Sequence, residues 1–378
     1  MRIDLITSLF SAFSEPWWKI FYDFSILTRG VDEWLRNLMT PFWTVVIEMV
    51  IIGVVFLLLY AVIGLFLVYA ERKVCAFLQN RLGPNRIGPY GIFQTIADLV
   101  KLLFKELIAI KNADRFLFNL APYIVIIVNF MVISALPFGK GLHAIDFNIG
   151  IFYILAVSSM GIIGVLLAGW SSNNKYSLIG AMRSGAQIVS YELSIALSLI
   201  TIVILAGTMQ LSEIIEAQRS GWFIFKGHFS ALIAFVIYLI AGTAETNRGP
   251  FDMAEAESEL TAGYHTEYSG IKFAFFYLAE YINMFVVAAI ASTMFLGGWM
   301  PFHVAGWEGF NNVMDYIPPF VWFFGKTFMV IWIIMLFKWT FPRLRIDQLL
   351  TLEWKYLLPI NLVNVLIMAF LVLKGWHF

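Results

Sequence analysis

The sequence predicts an all-α integral membrane protein of about eight transmembrane helices accompanied by amphipathic interfacial helices. Three observations predict it. Of 378 residues, 60% are hydrophobic and 13% charged, and mean hydropathy is +0.81, outside the range of soluble domains. Apolar runs recur near residues 43–69, 116–137, 151–170, 187–208, 229–245, 273–296, 320–340 and 354–373; a bilayer core of roughly 30 Å takes about 20 apolar residues per helix. Basic residues also segregate: the loops after the odd-numbered runs hold sixteen of the 25 Lys and Arg, from Arg72 and Lys73 to Lys355. Those loops therefore face the cytoplasm or its organellar equivalent. A soluble enzyme is excluded, and zero net charge offers no electrostatic case for nucleic acid. One cysteine, Cys75, and five scattered histidines supply no ligand set for a metal or iron–sulfur centre, so an electron carrier has to reside on another chain.

The N-terminal segment, 1–42, is broken by Asp4, Glu15, Lys19, Asp23, Arg29, Asp32 and Glu33 and contains no apolar core of signal-peptide type. With Trp17, Trp18 and Trp34 among its apolar positions it suits a helix lying in the outer interface, or a disordered lead. Residues 43–378 form the transmembrane domain. The first inner loop, Glu71 to Glu106, is too long for a connector. Gly83-Pro84 and Gly88-Pro89 break helix at its centre, and Ile92 to Leu107 then places apolar residues three and four apart, as in an amphipathic helix on the inner surface. No period recurs and the runs do not divide into two similar halves, which counts against a transporter built from inverted repeats.

Carboxylates inside apolar runs are costly unless protonated, paired or beside water, which makes them functional candidates. Glu192 lies one or two turns inside the fourth run, Glu280 in the sixth and Glu48 early in the first. Each is either a titrating group or a group bonded to a neighbouring helix. The loop after the fifth run, Ala244 to Gly270, has Asp252, Glu255, Glu257, Glu259 and Glu267 with no Lys or Arg after Arg248, on the side where basic residues otherwise collect. On a helix Asp252, Glu255 and Glu259 share a face, where crowded carboxylates raise one another's proton affinity. The loop is a proton-holding cluster or a solvated docking patch. In the last inner loop Arg343 and Arg345 also fit ordinary positive-inside anchors.

Taken together, ERK from Glu71, GPNRIGPYG from Gly83, SSNNKYSL from Ser171, SYE from Ser190, AETNRGPFDMAEAESEL from Ala244, HTEYSG from His265 and PRLRIDQL from Pro342 resemble a family of membrane subunits of respiratory complex I, the NADH:quinone oxidoreductase, known as subunit 1 or the H subunit. The resemblance covers about Thr44 to Leu373 and leaves residues 1 to 40 outside. It implies a translocating enzyme subunit with no catalytic residue or metal of its own, forming the membrane side of a quinone chamber. Quinone is then the substrate, and the iron–sulfur clusters lie only in partners. Arg72, Arg81, Asp98, Arg343 and Arg345 are implied at or near that chamber. Glu192, Glu245, Asp252, Glu255, Glu257, Glu259, Glu267 and Glu280 match acidic positions linking it to proton translocation. The implied partners are the peripheral-arm quinone-site and iron–sulfur subunits, small membrane-arm subunits, antiporter-like subunits and the lipid of an energy-transducing membrane. Asp98-Leu99 departs from the Asp-Ala of many relatives, so packing in that wall differs. A homologous anchor of a membrane-bound hydrogenase or ferredoxin-linked complex, and a stand-alone proton-coupled transporter, are the competing readings.

Overall fold

The computed structural model describes residues 19, 21–38, 40–108, 110–253, 260–303 and 307–376. Helices dominate, and among these residues no strand forms beyond one isolated bridge between Gly139 and Leu142. Among the described residues eight helices are long and apolar enough to cross a membrane: α2 (Pro41–Leu78), α4 (Arg115–Ser134), α5 (Gly150–Ser171), α6 (Lys175–Ala206), α7 (His228–Glu245), α8 (Gly270–Phe295), α9 (Pro319–Thr340) and α10 (Ile346–Leu373). The protein is an all-α, multi-pass membrane protein. Shorter helices include the amphipathic α1 (Ser25–Leu38) before the first span and α3 (Gln94–Phe104) in the first inner loop.

Five spans begin and end within about a turn of the apolar runs, whereas α2, α6 and α10 extend well beyond theirs. Their extensions are polar, which is why hydropathy alone ends the spans early. At 1.5 Å per residue the 38 residues of α2 reach about 57 Å, well past a bilayer core. The charged Glu71-Arg72-Lys73 does not stop α2; it ends at Gln79, just before Asn80 takes a φ of 51°. The Asn174 side chain caps α6 at Tyr176 N (2.9 Å). The polar first half of α6 is then buried against partners: Ser177 Oγ donates to Tyr264 O (2.9 Å), and Gln187 Nε2 to Ala244 O and Phe251 O (both 2.7 Å). A buried polar stretch of this kind is stable because its groups are bonded. In α10 a π-helical stretch, Leu352–Leu357, interrupts the α-helix.

The spine of the bundle is α8, the most deeply buried span, packed on α2, α4, α7 and α9. Small residues on it, Ala288, Ala289 and Ala291, are fully enclosed and allow close helix approach. Along one side α6 lies between α5, α7 and α10. By contrast α2 and α10 leave most of their apolar surface uncovered by this chain.

The double turn of the first inner loop folds back on itself. Gly91 has φ +78°, and a Cβ there would lie 2.2 Å from Pro84 O, so only glycine fits. This turn sets α3 against the inner ends of α2 and α8. At the opposite end of the bundle, the Tyr22 hydroxyl donates to Tyr316 O (2.7 Å) and Asp23 pairs with Lys140 (3.6 Å), docking α1 on the outer loops. Glu48 lies near Asp32 of α1, so it belongs to this outer contact. Trp17 and Trp18 fall outside the described residues. Lys326, a cation inside the seventh apolar run, is a buried residue of α9. Its ammonium donates to Leu296 O, Gly298 O and Met300 O (2.6, 3.0 and 2.6 Å), the open carbonyls at the end of α8.

Candidate functional site

At the inner ends of α2 and α8 lies an open cavity of about 370 Å³ lined by Arg72, Cys75, Arg81, Tyr277, Tyr281 and Trp339 among others. Arg72 pairs through Nη1 with Asp98 of α3, and Asp98 also accepts from Gln94 Nε2 (3.2 Å). Arg81 Nε donates to Gln79 Oε1 (2.7 Å). The structure thus brings Arg72, Arg81 and Asp98 together. Arg343 and Arg345 are exposed on the last inner loop and do not line this cavity. That loop is tied to the acidic segment by Leu344 N donating to Pro250 O (3.1 Å).

The floor of the cavity is a buried ion cluster. Glu71, which also lines the cavity, bonds Arg248 Nη1 through Oε2 (2.7 Å) and Lys338 Nζ through Oε1 (2.6 Å). Arg248 Nε in turn pairs with Glu280 Oε1 (3.2 Å), and the guanidinium lies 4.2 Å from the Tyr281 ring centroid. Two carboxylates are balanced by two cations, which makes their burial tolerable. Burial acts to lower the Arg248 pKa, but the Glu280 and Glu71 carboxylates more than offset it and hold the guanidinium well above its ordinary range.

Glu280 has a second environment. It lines an internal cavity of about 70 Å³ together with Glu245, Asn129, Ser158, Asn247 and Asn283. That is room for about two waters, in a lining rich in hydrogen-bonding groups. Glu245, at the inner end of α7, is close enough to Glu192 of α6 for their charges to interact. Beyond it, the Ser159 hydroxyl lies between Leu155 O (2.8 Å) and Glu192 Oε1. Glu71, Glu280, Glu245 and Glu192 therefore run as a carboxylate series from the open cavity into the bundle.

Glu267 sits apart from that series. It accepts from Asn174 Nδ2 (2.6 Å) and lines an inner-surface cavity of about 400 Å³ with Lys111 and Lys175. Asp252 is half-buried and near His265, whose pKa is pulled down to about 4 by burial against the opposing effect of Asp252. Burial pushes Tyr268 up to about 12, where it stacks on Phe118 at 4.1 Å. Glu255, Glu257 and Glu259, and with them the expected common face with Asp252, lie outside the described residues. Among the described residues no group of three or more His, Cys, Asp or Glu is assembled for a metal ion.

A family model described as NADH dehydrogenase matches residues 49–369. The chain is 63% identical over 357 residues to the H subunit of NADH-quinone oxidoreductase of Bacteroides fragilis, covering 94% of this chain and 100% of that one. It is 46% identical to the H subunit of the same enzyme of Geobacillus kaustophilus, covering 92% of this chain and all of the relative. It is 46% identical to NADH-quinone oxidoreductase subunit 8 of Rhodothermus marinus, covering 87% and 96%. The chain belongs to the H-subunit family of complex I. As a family member it is a subunit of an oxidoreductase complex, with other subunits as its partners.

Within this family member, the sequence reading misses Glu71, Arg248, Lys338, Tyr281 and Glu353 as site residues. Glu71 and Arg248 stand inside the quoted motifs, and Lys338 among the inner cations, but their contacts join positions 177 and 267 residues apart. No local spacing reports such a pairing. Glu353 precedes the last apolar run and reads as a loop residue, yet it is completely buried in α10.

Proposed function

We propose that this chain forms the membrane side of the quinone chamber of proton-pumping NADH:quinone oxidoreductase and couples quinone reduction to proton translocation. The observation that carries this reading is the joining of the open cavity, through Glu71, Arg248 and Glu280, to the internal cavity that holds Glu245. Quinone enters from the bilayer, and its head group meets Arg72, Arg81 and Asp98 while a partner's iron–sulfur cluster supplies electrons. Reduction to quinol takes two electrons and two protons; quinone and quinol are both neutral, so the charge beside the Glu71–Arg248–Glu280 cluster changes in the interval between arrival of the electrons and delivery of the protons. Carboxylates arranged in series then redistribute protons toward Glu245 and Glu192, since neighbouring acids titrate as a group.

The acidic loop, including Asp252, Glu255, Glu257, Glu259 and Glu267, exchanges protons with this series, and Arg343 and Arg345 flank the chamber beside the peripheral arm. Residues 1–42 act as an interfacial segment on the outer side, and residues 43–378 as the chamber domain. Small membrane-arm and antiporter-like subunits receive the coupling, in a bacterial inner membrane or its organellar equivalent.

Arg81→Ala and Asp98→Asn in the assembled complex test the chamber. Quinone reduction should fall about tenfold or more, the equivalent of one charge-assisted hydrogen bond, with electron transfer to a hydrophilic acceptor intact. Equal loss of both activities, or of neither, refutes the chamber. Copurification of the peripheral-arm and antiporter-like subunits separates this reading from a hydrogenase anchor or a solitary transporter.

A further inference from the structure

Glu353 is used by none of the chemistry above, and its setting is unlike that of an ordinary carboxylate. It lies in the π-helical stretch Leu352–Leu357 and is 0% exposed. Its neighbours Trp354, Lys355 and Tyr356 are exposed, with the Lys355 ammonium over the Tyr356 ring. Such residues anchor a helix at the inner membrane surface. The wider turn faces three interfacial residues outward and turns one acid inward against α6; π turns of this kind concentrate at functional sites.

What the acid meets there is a run of hydroxyls. The Ser194 hydroxyl donates to Glu353 Oε1. Asn361 Nδ2 donates to Ser194 O (2.7 Å) and Ser198 Oγ (2.9 Å), while Trp354 Nε1 donates to Ser190 Oγ (3.3 Å). Two buried oxygens in this seam, Glu353 Oε2 and Asn361 Oδ1, have no hydrogen-bond partner among the described residues. No ion pair joins Glu353 to a cation among the described residues. A carboxylate so placed is tolerated only when it is protonated, paired or beside water. The titratable group facing it from α6 is Tyr191, whose hydroxyl donates to Leu349 O (3.0 Å). Asp347 and Lys355 of its own helix are exposed; of the titratable groups of α7, His228 and Glu245 lie at the two ends of that helix and the Tyr238 hydroxyl donates to Val287 O of α8 (2.9 Å).

The geometry points to Glu353 as a further proton-holding site of this subunit, on the α10 side of α6, with Ser194 as the group that positions it and stabilises its ionised form. This deepens the coupling role proposed above and rests on it. Tyr191 packs on Phe251 at 5.7 Å, directly before Asp252, so the site adjoins the start of the acidic loop. A proton released by Glu353 passes to that loop and is replaced from it, with no other bond made or broken.

The test uses the assembled complex carrying Glu353→Gln, Glu353→Asp or Ser194→Ala, with Glu192→Gln and Glu245→Gln measured in parallel. Expected for Glu353→Gln are normal assembly, a severalfold loss of coupled turnover, and disappearance of one protonated-carboxyl band from the infrared difference spectrum of quinone reduction. Glu353→Asp should restore the band and part of the turnover. Ser194→Ala removes a hydrogen bond to the charged form and should move the pH profile upward by about one unit. An unchanged infrared spectrum and pH profile in Glu353→Gln and Ser194→Ala, with Glu192→Gln and Glu245→Gln impaired, overturns the Glu353 site alone. If all of the variants behave as wild type, the coupling role itself fails. Should Glu353→Gln not assemble, the band and pH shift in Glu353→Asp and Ser194→Ala decide the matter.

Discussion

Replacing Arg248 by Met removes the cation that separates two buried carboxylates. Its side chain is 4% exposed and that of Glu71 7%, with nitrogen–oxygen distances of 2.7 Å to Glu71 and 3.2 Å to Glu280. With charge centres about 4 Å apart and an effective dielectric near 20, each pairing is worth about 4 kcal/mol before desolvation of the guanidinium is subtracted. Truncating one member of a buried pair costs about 3–5 kcal/mol, and that is the loss expected for Arg248→Met. Lys338 still faces Glu71 and limits the damage on that side, leaving Glu280 as the more exposed to the loss. Arg248→Lys keeps the charge but not the fork that reaches both acids, so it should cost less. The assay is thermal inactivation of the assembled complex, followed by activity and by subunit retention. Combining Arg248→Met with Glu280→Gln removes the stranded charge, and the double variant should be more stable than the sum of the two single losses. An Arg248→Met complex as heat-stable as wild type, or strictly additive losses in the double variant, would refute the reasoning.

Lys326→Met strips three carbonyls at the end of α8 of their shared donor and should cost about 1.5–3 kcal/mol, the range for a hydrogen bond to a charged group, read as a lower midpoint of thermal inactivation with quinone affinity unaltered. His265 is neutral in the fold, with its pKa drawn from 6.5 to about 4. The unfolded chain therefore takes up the proton first, and stability present above pH 6.5 is lost as pH falls toward 4, by up to about 3 kcal/mol; His265→Gln should flatten that acid limb in a stability-versus-pH series. Glu255→Gln with Glu259→Gln should lower turnover per assembled complex by more than the two single changes combined and shift its pH profile, because clustered acids share protons. Loss of peripheral-arm subunits instead, or full assembly with an unshifted profile, excludes a proton-holding loop.

The membrane class and the eight spans are determined by composition and by where charge is allowed, because a bilayer has no other solvent for an exposed peptide group. The candidate residues Arg72, Arg81 and Asp98 came from the family resemblance and not from local spacing; the fold brings them together because the turn of their segment folds back on itself. By contrast Glu192 and Glu280 are legible, since a carboxylate in an apolar run announces a special environment. Hydropathy fails where polar helix is buried in protein, as at Lys175–Ser184 and Glu71–Leu78, because interior hydrogen bonds replace the apolar contacts that a hydropathy scan detects.

Tertiary structure alone decided the pairings. Glu71 meets Arg248 and Lys338 across 177 and 267 residues, and only helix packing sets which charge neutralises which. It set Lys326 as the cap of α8, and brought Glu353 inward through a π-helical stretch that no apolar periodicity foretells. Sequence determines which groups cannot be left in lipid; the fold determines the partner that makes each of them tolerable, because that partner lies on another helix and its distance is a property of packing.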